Sequence, residues 1–357
     1  MAPPIKTKVL FLSRAYREDA GGMERLSFEL INKLSARDDI EATVVGYGGS
    51  RRWFPLYFTF MLPRILWLAR GVDVVHLGDP LLADVGWLLK LLYKVKVAVM
   101  VHGLDVSFPN SLFTAYQRAF FTDFDLYLPI SRHAKKLLEP WHVSGKVQVI
   151  NPGVSDRFYD VEIRREHSDT AVSKNTTDMT VLLTVGRLVK RKGHEWFVRN
   201  VLPKLPSNTL YVIAGMGPEL ENISQAAVEA GVVDRIRMLG RVSDATLKTL
   251  YNTVDAFIQP NISVPGDAEG FGLVMLEAAL CNRPVFASNI DGIADAIQDG
   301  ANGHLLEAGN AAAWKAALES PVKAIDGQRG YTLERFGWSG AAKAHATALQ
   351  SVERSAT

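Results

Sequence analysis

Short runs of β-branched and aliphatic residues recur along the first half of the chain, separated by longer stretches with helical apolar spacing. Lys8–Leu12, Ala42–Val45, Asp73–His76, Lys96–Val101, Leu126–Pro129 and Val147–Ile150 have strand length and few polar positions, which predicts strands covered on both faces. Met23–Ser35 and Ala134–Glu139, among the stretches between them, predict helices. The rhythm is that of βαβ units building a parallel sheet.

The pattern stops at residues 161–178, which are polar and lack apolar periodicity, so a surface connection is expected there. It then restarts. Thr180–Val185, Thr209–Ala214, Arg235–Leu239, Ala256–Gln259, Pro284–Ala287 and Gly303–Leu306 predict strands, with helices at His194–Leu202, Glu219–Ala230, Asp244–Tyr251 and Gly272–Cys281. The expected organisation is α/β, with two doubly wound domains at residues 1–155 and 179–328, a linker at 156–178 and a helical tail at 329–357. No short-period repeat or low-complexity segment interrupts it.

Composition narrows the class. A chain of 357 residues, 48% hydrophobic and 22% charged, suits two soluble globular domains. A formal charge of +2, with no basic stripe carrying interleaved aromatics, argues against nucleic acid as a partner. Cys281 is the only cysteine, so no intramolecular disulfide forms and a reducing compartment is expected. The apolar run Val9–Leu12 is too short for a signal peptide, and no run reaches the roughly 18 apolar residues of a membrane span. A cytoplasmic location follows as the expectation. Residues 51–70, "RRWFPLYFTFMLPRILWLAR", leave peripheral attachment at the inner face of the membrane open, because arginines mixed with Trp53, Phe54, Tyr57, Phe58 and Trp67 suit an interface. The rival reading is an ordinary domain helix with core aromatics. Pro55 and Pro63 argue against one long straight helix there.

In doubly wound sheets, ligands bind beyond the carboxyl ends of the strands. After "TVLLTV" comes "GRLVKRKGHEWF", with Arg187 at the strand end and Lys192 before Gly193 and a helix. Two cations and a glycine in a strand-to-helix loop suit a diphosphate. Lys190 and Arg191 read as a solvated charge run. In "EGFGLVMLEA", amides at Phe271, Gly272 and Leu273 would open a helix and attract an anion, while Glu269 beside them would suit hydroxyls better than phosphate. Glu277 falls within the apolar arc of Leu273, Leu276 and Leu280 and needs donors: a ribose diol or a core-edge arginine. In the other domain, His102 ends a strand beside Gly103, with Asp105 placed to orient its imidazole. Gly21–Gly22 precede a helix after the first strand, where either a phosphate turn or plain helix-start punctuation fits.

These motifs resemble those of the retaining glycosyltransferases of the GT-B fold, family 4. The resemblance rests on "GGMER", "VHGLD", "INPGV", "VGRLVKRKG", "VIAGMGPE", "MLGRVSDATLKTLY" and "EGFGLVMLEAALCNRPVFAS", in the family's order and over nearly the whole chain. It implies two Rossmann-like domains facing across a cleft that closes on the donor, and a C-terminal helix, carrying "FGWSGAAKAHATALQ", that crosses back to the first domain. It implies transfer of a hexose-type sugar from a nucleotide-diphosphate sugar, with retention, to a glycan or lipid-linked acceptor in cell-envelope or polysaccharide assembly. Carried onto this chain, Arg187 and Lys192 hold the departing diphosphate, Glu269 the sugar and Glu277 the ribose. Phe271, Gly272 and Leu273 offer amides, His102 touches the transferred sugar, and Gly22 lies near the donor phosphates and the acceptor. No cofactor or metal is expected, because the cations supply the charge a metal would supply elsewhere. Asn261 stands where the family often has Ser, Pro265 and Asp267 are additions to the loop, and Asp291 replaces a second Gly. A sugar-nucleotide epimerase, a phosphorylase or a non-catalytic nucleotide-sugar binder would use similar loops. A nicotinamide dehydrogenase fits less well, since no GxGxxG follows the first strand.

Overall fold

The first sheet is built from β1 (Thr7–Ser13), β2 (Ile40–Gly46), β3 (Val74–Leu77), β4 (Lys96–Val101), β5 (Leu126–Pro129) and β6 (Lys146–Val147). All five pairings are parallel, in the order β2-β1-β3-β4-β5-β6. Between the strands run α1 (Met23–Ser35), α2 (Phe54–Ala69), α3 (Ala83–Tyr93), α4 (Leu104–Ser107), α5 (Ser111–Phe120) and α6 (Arg132–Lys136). This is a computed structural model, and it describes residues 6–18, 22–50, 52–107, 110–163, 178–319 and 323–353.

Alternate residues of each strand serve opposite faces. On one face Leu10, Leu12, Val75, Leu77, Val97 and Val99 pack with Phe58 and Ile65 of α2 and Val85 and Leu89 of α3. Their apolar runs therefore become strands buried on both sides, as parallel sheets require. Gln148 and Ile150 still donate to Tyr127 and Pro129 carbonyls at 2.9 and 3.1 Å, so the ladder runs past β6 into the expected strand Val147–Ile150. The two prolines of α2 do not break it: one continuous helix forms. Pro55 occupies its first turn, where no N–H is needed, and Pro63 faces outward, so the Thr59 carbonyl it frees lies on the exposed side.

The second sheet holds β7 (Thr180–Val185), β8 (Thr209–Ala214), β9 (Ile236–Gly240), β10 (Ala256–Gln259), β11 (Val285–Ser288) and β12 (His304–Leu306), ordered β12-β11-β10-β7-β8-β9 and again wholly parallel. Its helices are α7 (His194–Asn200), α8 (Leu220–Glu229), α9 (Asp244–Thr253), α10 (Leu273–Leu280), α11 (Ile293–Ala296) and α12 (Ala311–Leu318). Trp314, Phe197, Tyr211 and Ile223 anchor one core of this unit. Two further helices, α13 (Gln328–Phe336) and α14 (Trp338–Glu353), end the described chain.

The chain divides into residues 1–153 with 336–357, and residues 154–335. Part of the expected linker is therefore docked on the second unit: Asn252 donates to the Phe158 carbonyl, and the Phe158 ring packs tilted against Tyr251 with centroids 5.4 Å apart. Residues 164–177 of that linker lie outside the described residues. The tail joins the first unit from Phe336 rather than from 329, because α13 is tied to the second through Gln328, which donates to the Ala279 and Arg283 carbonyls. α14 packs on α1, β4 and β5.

Candidate active site

In the second sheet β7 and β10 are neighbours, and the chain leaves them in opposite directions. That is the topological switch point, where the loops diverge and leave room for a ligand. The loop after β7 carries Lys192 in a single turn of 3₁₀ helix directly before α7, and the loop after β10 carries Glu269. Lys192 Nζ lies 2.9 Å from Glu269 Oε2, and both side chains are nearly closed off from solvent. Arg191 Nε is 3.4 Å from the same oxygen, and Asn261 Nδ2 donates to it at 3.3 Å. Burial pushes the Glu269 carboxyl up, but Lys192, Arg191 and their hydrogen bonds outweigh it and hold the group below the usual carboxylate range. Glu269 is a fixed anion.

Arg191 is thus not the solvated charge expected from sequence: only 13% of its side chain is exposed, and Nη1 also meets Asp267 Oδ1 at 2.7 Å. Lys190 is exposed. Gly193 lets the two loops touch. A Cβ there would stand 1.9 Å from the Pro260 carbonyl oxygen, and its φ of +68° suits only glycine well. On its other side the Glu269 amide donates to Asp291 Oδ2 at 3.0 Å, while Gly292 N–H donates back to the Glu269 carbonyl at 3.0 Å. The three polar departures from the family pattern, Asn261, Asp267 and Asp291, all converge on this loop and its cations. Arg187 differs: it is exposed and makes no ion pair among the described residues.

A buried chain of hydrogen bonds braces the cation loop from behind, and sequence reasoning missed it. Thr184, at the end of β7, donates to the Ile258 carbonyl at 2.7 Å, so its oxygen receives the Tyr211 hydroxyl proton at 3.0 Å. Tyr211 Oη in turn accepts from His194 Nδ1 at 2.9 Å. The direction of the chain fixes His194 as the Nδ1–H tautomer. Burial, with Lys192 nearby, depresses His194 to about 3, so it stays neutral. Thr184 and His194 bracket Arg187 and Lys192 in sequence, and a strand-end Thr with a helix-start His was the available signal.

Phe271 is buried, Gly272 caps α10 without any side-chain hydrogen bond, and Leu273 opens the helix. Glu277 follows one turn later. Tyr251 donates to its Oε2 at 2.9 Å, and Arg157 Nη2 lies 3.7 Å from its Oε1. Burial, then the Glu277 charge, keeps the Tyr251 phenol far above its usual range and so a donor. Arg157 also stacks 3.9 Å over Phe158 and pairs with Asp244 Oδ2 at 2.9 Å. Of the two sources of donors expected for Glu277, the arginine is present.

The remaining predicted residues, His102 and Gly22, belong to the first unit. Its switch point lies between β1 and β3, and an ion pair bridges it: Arg14 Nε, just past β1, stands 2.8 Å from Asp79 Oδ2, just past β3. His102 follows β4, with Nε2 2.9 Å from the Gly78 carbonyl. That nitrogen must be the donor, because a carbonyl oxygen only accepts. Asp105 does not orient the imidazole. Its carboxylate takes the backbone amides of His102 and Gly103 instead, at 2.7–3.1 Å. Gly22, φ +65°, caps α1 and is exposed; Gly21 lies outside the described residues. Among the described residues no three His, Cys, Asp or Glu side chains group as metal ligands.

Comparison with known proteins covers both units. The profile of the glycosyl transferases group 1 matches residues 166–324, and that of glycosyltransferase family 4 matches residues 20–158. A D-inositol 3-phosphate glycosyltransferase of Mycobacterium marinum is 28% identical over 284 residues, 74% of this chain and 58% of the relative. One from Catenulispora acidiphila is 28% identical over 306 residues, 77% of this chain and 69% of the relative. The chain therefore spans little more than half the length of the mycobacterial relative. Among solved structures, a sucrose-phosphate synthase from Thermosynechococcus elongatus superposes with a TM-score of 0.76 at 18% identity, covering 98% of this chain and 100% of that one. Anabaena HepE, solved in complex with UDP, gives 0.74 at 18% identity, with 97% and 100% covered. The two profiles together account for most of the residues, and both sheets have the matching architecture: this chain belongs to the GT-B glycosyltransferases of family 4.

Proposed function

We propose that the chain is a retaining, metal-independent hexosyltransferase that moves a sugar from a nucleotide-diphosphate donor to a glycan or lipid-linked acceptor. Its place is in cell-envelope or polysaccharide assembly, on the cytoplasmic side of the membrane. One observation carries the reading. At the switch point of the second sheet, Lys192 and Arg191 are locked to Glu269 while Arg187 beside them stays exposed and unpaired.

In this reading Arg187 and Lys192 take the negative charge that grows on the departing diphosphate. Lys192 keeps ammonium protons beyond the one turned to Glu269. Glu269, held ionised, accepts from hydroxyls of the sugar, and the amides of Phe271, Gly272 and Leu273 at the start of α10 face the anionic end. Glu277, oriented by Tyr251, accepts from the ribose once Arg157 gives way. His102 meets the transferred sugar through Nδ1, and Gly22 leaves its loop open to phosphates and acceptor. The leaving phosphate itself removes the acceptor's proton, on the face it departs from.

The test is an assay with uridine, guanosine and adenosine diphosphate sugars, each with and without acceptor. Uridine donors come first because HepE was solved with UDP. D-inositol 3-phosphate belongs in the acceptor panel beside polyprenyl-linked glycans, following the relatives' names. Nucleoside diphosphate should appear far faster with acceptor than by slow hydrolysis without it, undiminished by a chelator, and NMR should show the donor's anomeric configuration kept in the product. Conversion of the donor to an epimer without acceptor would establish an epimerase instead. Donor binding without turnover or slow hydrolysis would establish a non-catalytic binder.

A further inference from the structure

α2 is apolar on both sides, and the first unit uses only one of them. Phe58, Ile65 and Ala69 are buried in the core of the sheet. At about 100° per residue, Trp53, Leu56, Phe60 and Trp67 fall on the opposite side. They are 61%, 61%, 82% and 68% exposed. A helix apolar all round is normally enclosed. This one is not.

The neighbouring elements continue the surface. α2 packs on α3 and α3 on α5, and Trp87 and Leu91 on the outer side of α3 and Leu112 on α5 are 40%, 62% and 81% exposed. Isolated exposed apolar side chains are ordinary, but a run of this kind across adjacent helices marks a contact surface. Along α2 the charge points one way, while on α3 the exposed Asp84 stands on the same side as Leu91. Arg64 borders the α2 stripe on one side and Arg52 and Arg70 on the other, all exposed, and residues 51–72 contain no Asp or Glu.

We infer that the outer face of α2, extended by α3 and α5, docks on an anionic lipid bilayer with α2 lying in the plane of the headgroups. Tryptophan and phenylalanine insert at the boundary of headgroups and acyl chains, and arginines on both flanks meet lipid phosphates. Charge complementarity selects this occupant, since the arginines that border the α2 stripe repel a second copy of that stripe. α2 lies on the surface rather than crossing it: no helix among the described residues is long and apolar enough to span a membrane. The inference needs neither donor nor acceptor and stands apart from the proposed reaction.

Flotation of the full chain with phosphatidylcholine vesicles, with and without phosphatidylglycerol, tests it. The protein should float with phosphatidylglycerol vesicles and leave them as salt rises. Replacing Arg52, Arg64 and Arg70 by Ser should weaken partitioning by about fivefold per arginine. The exposed triple change Trp53→Ser, Phe60→Ser, Trp67→Ser should abolish flotation with an unchanged melting temperature. Wild-type protein that stays at the bottom of the gradient overturns the inference, as does a tryptophan variant that still floats. So does a wild-type dimer in sedimentation that the same triple change dissociates without any vesicle binding, which would make the face a self-association surface.

Discussion

The Glu269 charge is balanced before any ligand arrives, by Lys192 and Arg191, with Asn261 donating to the same oxygen. Arg187, exposed and without an ion pair among the described residues, is left at the strand end to meet an incoming anion. Arg187→Ala should lower kcat by about a hundredfold or more, the usual cost of losing a charge-stabilising donor. Because Arg187 is exposed and unpaired, its melting temperature should stay put, and steady-state kinetics with a thermal scan separate the two outcomes. Tyr251 acts through Glu277. Tyr251→Phe removes one hydrogen bond, about 1 kcal/mol, and should raise the donor KM about fivefold with kcat little changed. Much of this was visible in sequence: Arg187, Lys192, Glu269 and Glu277 stand where strand ends and helix arcs predict. Arg191 was misjudged because its partner Asp267 lies 76 residues away, and only the adjacency of β7 and β10 brings them together. Asn261 and Asp291 lie only 8 and 22 residues from Glu269, but sequence showed them merely as departures from the family pattern, because the fold of the loop decides where they point.

The strands were legible because parallel sheets are buried on both faces and leave uninterrupted apolar runs, and the outline of β7, Thr180–Val185, agrees to the residue. Helix α2 was misread because a proline's effect depends on which way it faces, which composition does not reveal. Behind the cation loop, Tyr211 links β8 to Thr184 on β7 and His194 on α7. Tyr211→Phe would strand a buried His194 N–H, cost about 1–3 kcal/mol and weaken donor affinity, as urea melts and calorimetry would report. In the first unit, β3 and α14 each bury a histidine. His76 is depressed to about 4 and His345 to about 3, in both mainly by burial, so both are neutral when folded. Unfolded, they bind protons near 6.5, so stability is full above that pH and falls as pH drops toward 4 and 3. His345→Leu should recover on the order of 2 kcal/mol near pH 5 and nothing near pH 8, by urea melts at the two pH values.

Across the molecule the same device appears twice. Each unit joins the two strands at its switch point by a cation and a carboxylate, Arg14 with Asp79 in the first and Lys192 with Glu269 in the second. The second adds Arg187, exposed and without an ion pair among the described residues, directly at a strand end, and the account assigns the donor diphosphate there for that reason. A crystal structure of the protein with an intact nucleotide-diphosphate sugar tests this most directly. The account predicts phosphate oxygens about 3 Å from the Arg187 guanidinium and the Lys192 ammonium, beside the first turn of α10. A diphosphate bound away from both cations would contradict it.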